Sequence, residues 1–113
     1  MTNRYFDTLR FFRYRRLLRA TLIQHEPWFA ARDLARLMGI HFGDKVQARL
    51  APDQWRLGLI AAGDGTVGEE MMVSESGAYA LLQRHFPHPE NRNLRQWLTQ
   101  EVIPALRQAR AIA

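Results

Sequence analysis

The chain lacks cysteine entirely and has a single lysine, Lys45, among its 113 residues. Without thiols there is no disulfide, no zinc-thiolate site and no thiol catalysis. Long apolar runs are also missing. None approaches the roughly 18 residues a membrane helix needs, and arginines interrupt every N-terminal candidate. The N-terminus has no uninterrupted apolar core of the secretory kind, so the expected location is the cytoplasm, with no membrane partner. Internal repeats and low-complexity stretches are absent. What is present is a 47% hydrophobic composition, too apolar for a disordered chain, in a length that suits one domain.

Charge is unevenly placed. Residues 1–19 carry six arginines against Asp7, which accounts for the whole net charge of +5. Such asymmetry is the footprint of a phosphate-binding surface. A GC-rich genome would produce arginine in place of lysine without selection for function, but would not produce the clustering. The same stretch holds five of the nine Phe and Tyr residues. Residues 1–14 therefore read as an aromatic and basic arm that docks or pairs, with helix and strand patterns fitting equally. Residues 15–110 read as the single domain.

Arg15 to Gln24 reads as a strand, with Leu18, Ala20 and Leu22 on one face and Leu17, Thr21 and Ile23 on the other. A polar turn ending at Pro27 leads to a returning strand, Trp28-Phe29-Ala30. A short helix is expected over Ala31 to Met38, stopped by Gly39, and another over Asp44 to Leu50. Trp55 to Ile60 and Glu69 to Val73 read as strands joined by a glycine-rich loop that lacks the ending of a phosphate loop. Ser74 or Ser76 caps the next helix, whose inner stripe is Ala78, Leu81, Leu82 and Phe86. In the last helix Leu94, Trp97, Leu98, Val102, Ala105 and Ala109 form the buried stripe. Pro104 lies inside that pattern and predicts a kink. The expected class is α+β: short antiparallel strands and hairpins packed with about four helices.

No catalytic constellation is visible. Ser76 has no base placed to activate it, and Glu69 and Glu70 point to opposite faces of a strand. His85 and His88 straddle Pro87, which spoils a shared ligating face. The sites expected for DNA are Arg10, Arg13, Arg15, Arg16 and Arg19, with Lys45 and Arg49 as a lesser pair. Arg32 and Arg36 lie one turn apart on the first helix, a spacing that would let them reach a phosphate but that surface arginines commonly have. Trp28, Phe29, Tyr79 and Trp97 read as core anchors.

Three stretches carry a resemblance: Glu26-Pro27-Trp28-Phe29-Ala30-Ala31-Arg32-Asp33-Leu34-Ala35 with Leu37 and Gly39; Val73-Ser74-Glu75-Ser76-Gly77-Ala78-Tyr79 with Leu82; and Leu94 to Arg107. Together, in this order, they resemble the N-terminal domain of the BRO family, over about Leu18 to Arg107. The resemblance implies an α+β domain of prophage antirepressors and of DNA-binding proteins of large DNA viruses, with no catalysis and no cofactor. One departure is Arg13-Tyr14-Arg15-Arg16, where the family pattern is polar with glycine. Two functions follow as expectations. One is a DNA-binding transcription regulator that grips duplex or single-stranded DNA through the arginines. The other is an antirepressor-like module that binds a repressor protein without touching DNA. Exposed strand edges and the aromatic arm predict a homodimer.

Overall fold

A computed structural model describes residues 6–61, 66–86 and 89–112, so Arg4, Tyr5, Gly63 to Gly65, Pro87 and His88 lie outside the described residues. The fold is α+β, with a five-stranded antiparallel sheet. The strands are β1 (Leu9–Arg13), β2 (Arg16–Ile23), β3 (Glu26–Ala30), β4 (Trp55–Ala61) and β5 (Val67–Ser74). In space they run β1-β2-β3-β5-β4. The helices are α1 (Ala31–Met38), α2 (Asp44–Gln47), α3 (Glu75–His85), and a last run of α4 (Glu90–Trp97), a π-helical turn (Leu98–Val102) and α5 (Ile103–Ile112). Within the arm, Leu9–Arg13 is therefore a strand beside β2. α2 is shorter than expected and stops before Arg49. β5 begins at Val67, inside the stretch expected to be loop.

Alternation along β2 sets the layers. Leu18 and Ala20 face the helices with Phe29 and Val73, against Leu34 and Met38 of α1, Ala78, Leu81 and Leu82 of α3, and Leu94, Leu98, Val102 and Leu106 of the last helical run. A smaller cluster of Ala30, Ile60 and Met72 lies on the opposite face, where Phe6, Ile23 and Trp28 cover it. Phe6 also forms a parallel bridge to Ile60, its N–H donating to the Leu59 carbonyl at 2.7 Å. The stretch leading into one edge strand thus touches the other edge, β4.

Local chemistry ends the elements where the pattern changes. Gly39 takes φ 73° after α1; its N–H donates to Arg36 and that of Ile40 to Ala35, a Schellman closure that glycine enters without strain. Ser74 caps α3 by accepting from the Gly77 N–H at 3.1 Å. Gly77 itself is buried, and a Cβ there would stand 2.7 Å from the Gln54 carbonyl oxygen, closer than real side chains approach. The expected kink at Pro104 is not what distinguishes the last helix. The π turn just before Pro104 carries a bond from the Ile103 N–H to Leu98, which shifts the carbonyl register ahead of a residue that cannot donate. The inserted residue also moves the stripe: Ile103 and Leu106 are buried, whereas Ala105 is half-buried and Ala109 exposed.

Candidate nucleic-acid interface

The β1–β2 hairpin closes at the register pair Arg13↔Arg16, leaving Tyr14 and Arg15 as a two-residue turn. Both have positive φ, 52° and 66°, as the right-handed strand twist requires of such a turn. Asparagine and glycine usually occupy those places. An L side chain there costs about 1–2 kcal/mol. The strained tip presents Tyr14, 83% exposed, and an exposed Arg15. Arg13 is half-buried behind them, its guanidinium carbon 4.8 Å from the Tyr14 ring centre and 5.6 Å from that of Trp97. Arg10 is exposed on β1, 5.8 Å from the Phe12 ring centre.

Arg16 opens β2 and donates from Nη1 to the Arg36 carbonyl at 2.9 Å. The last carbonyls of a helix lack intrahelical partners and carry partial negative charge, so this cation suits the C-terminus of α1. The contact draws the hairpin base against α1. Arg16, Arg32, Arg36 and His41 thereby line one groove of about 900 Å³. Arg32 and Arg36 reach it because the opposite face of α1 is buried through Leu34 and Met38. Glu70 is the carboxylate on the groove wall, and its charge is met by Arg19.

Arg19 itself departs from the expectation of a DNA contact. It is 5% exposed and held by two carboxylates. β2 runs past its last pair with β3, Ala20↔Phe29, so the Arg19 N–H needs another acceptor; Asp33 Oδ2 takes it at 3.0 Å. The guanidinium donates from Nε to the same oxygen at 2.8 Å and from Nη2 to Asp33 Oδ1 at 3.1 Å. Nη2 also donates to Glu70 Oε1 at 2.8 Å, and Nη1 to Glu70 Oε2. The bonds to Asp33, then those to Glu70, hold this guanidinium above its usual pKa against the opposing effect of burial. A surface role is incompatible with that arrangement. Asp33 was the available signal in the sequence: an acid among Ala31, Leu34 and Ala35 at the start of a packed helix.

Lys45 and Arg49 are exposed at and just after α2. Arg49 lines a separate depression with Arg84 and His85, which shares no residue with the groove of Arg16. The anchors read from sequence divide: Phe29 is buried, while Trp28, Tyr79 and Trp97 are half-buried. The Tyr79 hydroxyl donates to Glu75 at 2.7 Å, and Arg95 stacks on its ring at 4.7 Å. Burial first, then the bond to Glu75, pushes the phenol above its ordinary 10.0. Among the described residues no helix is long and apolar enough to cross a membrane.

No curated protein and no solved structure matches the chain. The model of the BRO family, N-terminal domain, matches residues 18–104. That span runs from Leu18, within β2, to Pro104 at the start of α5, and includes the buried Arg19 with its two acids and the capped α3. The chain belongs to the BRO family through its N-terminal domain.

Proposed function

We propose that this domain is a DNA-binding transcription regulator of prophage and viral type. It holds the phosphate backbone with Arg13, Arg15 and Arg16 of the hairpin and with Arg32 and Arg36 of α1. Family membership supports nucleic-acid binding in general. The observation that carries this reading is the convergence of Arg16, Arg32, Arg36 and His41 on one groove whose lining acid, Glu70, is bonded to Arg19. Guanidinium forks pair well with phosphate oxygens, and such contacts position a protein on DNA without reading its sequence. Arg10, Lys45 and Arg49 are outlying contacts in this proposal, and Arg19 is excluded from it.

The test is fluorescence anisotropy with duplex and single-stranded DNA over a salt series. Replacing Arg15, Arg16, Arg32 and Arg36 by Ala is expected to flatten the slope of log affinity against log salt by roughly 3–4 on duplex. No binding at low salt by folded wild-type protein would sink the proposal.

A second reading has its own observation. β1 is an edge strand, and Leu9 and Phe12 are exposed along it, Phe12 to 60%. An unpaired edge with apolar side chains favours a protein partner, either a repressor or a second copy. This antirepressor-like module would bind a repressor with no dependence on Arg32 and Arg36, and a homodimer through β1 would be lost on changing Phe12 to Lys.

A further inference from the structure

Phosphate contacts explain affinity but carry no sequence preference, and the surface beside the hairpin tip offers the missing chemistry. Asn93, Gln96 and Gln100 stand three and four residues apart on α4 and the π turn, which puts them on one ridge. They face a cleft of about 290 Å³ whose other wall is Arg13 and Tyr14. Two other polar side chains of this helix are engaged internally. Asn91 donates to the Leu82 carbonyl at 2.6 Å, and Arg95 stacks on Tyr79. The three ridge amides have no hydrogen-bond partner among the described residues, and all three are exposed.

We infer that this amide ridge reads base edges in the major groove while the hairpin tip and α1 hold the backbone. The inference rests on the DNA-binding reading above and adds a specificity site to it. A side-chain amide offers one donor and one acceptor side by side, the complement of adenine N7 and N6. Asn93 to Gln100 spans about 10 Å of helix, close to three base-pair steps of roughly 3.4 Å. Glu101 lines the same cleft. Its carboxylate opposes a phosphate at the ridge itself, while Arg13 on the other wall takes the backbone. Arg13, stacked between Tyr14 and Trp97, stiffens the opposing wall.

The test is selection from a random duplex pool, followed by affinity for the selected site relative to a scrambled duplex. Wild type is expected to enrich a short motif containing adenines. In the variant carrying Asn93→Ala, Gln96→Ala and Gln100→Ala the affinity ratio falls toward one, on the order of tenfold per amide removed. Gln96→Glu is the second variant. It is expected to exchange adenine for cytosine at one position, because a carboxylate accepts from cytosine N4. Binding without enrichment, or the same motif selected by both variants, overturns the inference and leaves the DNA-binding reading standing. No binding to any duplex overturns the inference, and no binding to single-stranded DNA either overturns both.

Discussion

Arg16 and Arg19 lie three residues apart on one strand and meet opposite fates. The first is on the surface, donates one bond to a helix end and keeps most of its donors for solvent or a ligand. The second is buried, with Nε, Nη1, Nη2 and its own backbone N–H all engaged by Asp33 and Glu70. An odd separation on a strand puts two side chains on opposite faces, so a basic cluster in sequence must divide when it becomes part of a sheet. The hairpin tip holds strain and free charge; the triad holds one guanidinium between two carboxylates away from water. A count of arginines cannot distinguish them.

The largest effect should come from breaking the buried side. Arg19→Ala strands two carboxylates in a desolvated site and is expected to lower stability by about 3–5 kcal/mol in urea unfolding, against about 0.5 kcal/mol or less for Arg15→Ala. Equal effects would mean that the two arginines are not in different environments. Next is the tip. Tyr14→Asn with Arg15→Gly relieves two left-handed positions and should raise stability by about 1–2 kcal/mol while weakening DNA binding. A loss of stability would show that the turn is not strained. Arg16→Ala removes the contact at the C-terminus of α1, so thermal unfolding should report a loss of about 0.3–1 kcal/mol. It should also reduce the salt slope of DNA binding by roughly 0.9.

The smallest effect is in pH. Tyr79 has its folded pKa raised above the ordinary 10.0, so the stability linked to its proton is present below that value and declines as pH rises through it. Arg19 is shifted in the same direction, but its change lies beyond the accessible alkaline range. Tyr79→Phe should therefore flatten the fall in stability above about pH 10. An unchanged alkaline profile would remove Tyr79 as its source.

The expected strand faces of β2, Ala78, Leu81 and Leu82 of the inner stripe of α3, the stop at Gly39 and the cap at Ser74 all appear in the structure, while Phe86 of that stripe falls just past the helix end. Each depends on neighbours within a few residues, where periodicity and capping act. The misjudged stretches involve distant or cumulative effects. Pro104 is met by a π turn, which shifted burial from Ala105 and Ala109 to Ile103 and Leu106. α2 stopped early, and Arg49 went to a depression shared with Arg84 and His85. Asn93, Gln96 and Gln100 lie across a cleft from Tyr14, a placement that no local pattern gives.

Residue type and order alone determined the α+β class, the family and the excess of arginine near the N-terminus, because each is carried by composition or short-range pattern. Only the tertiary structure decided which arginines face outward. The β2–β3 pairing stops at Ala20↔Phe29, one residue short of Arg19, and a buried guanidinium must find carboxylates wherever the chain brings them, here 14 and 51 residues away. The same packing of hairpin against α1 assembled Arg16, Arg32 and Arg36 from separate segments. Desolvation selects partners by distance in space, and that distance is not written in the spacing of residues along the chain.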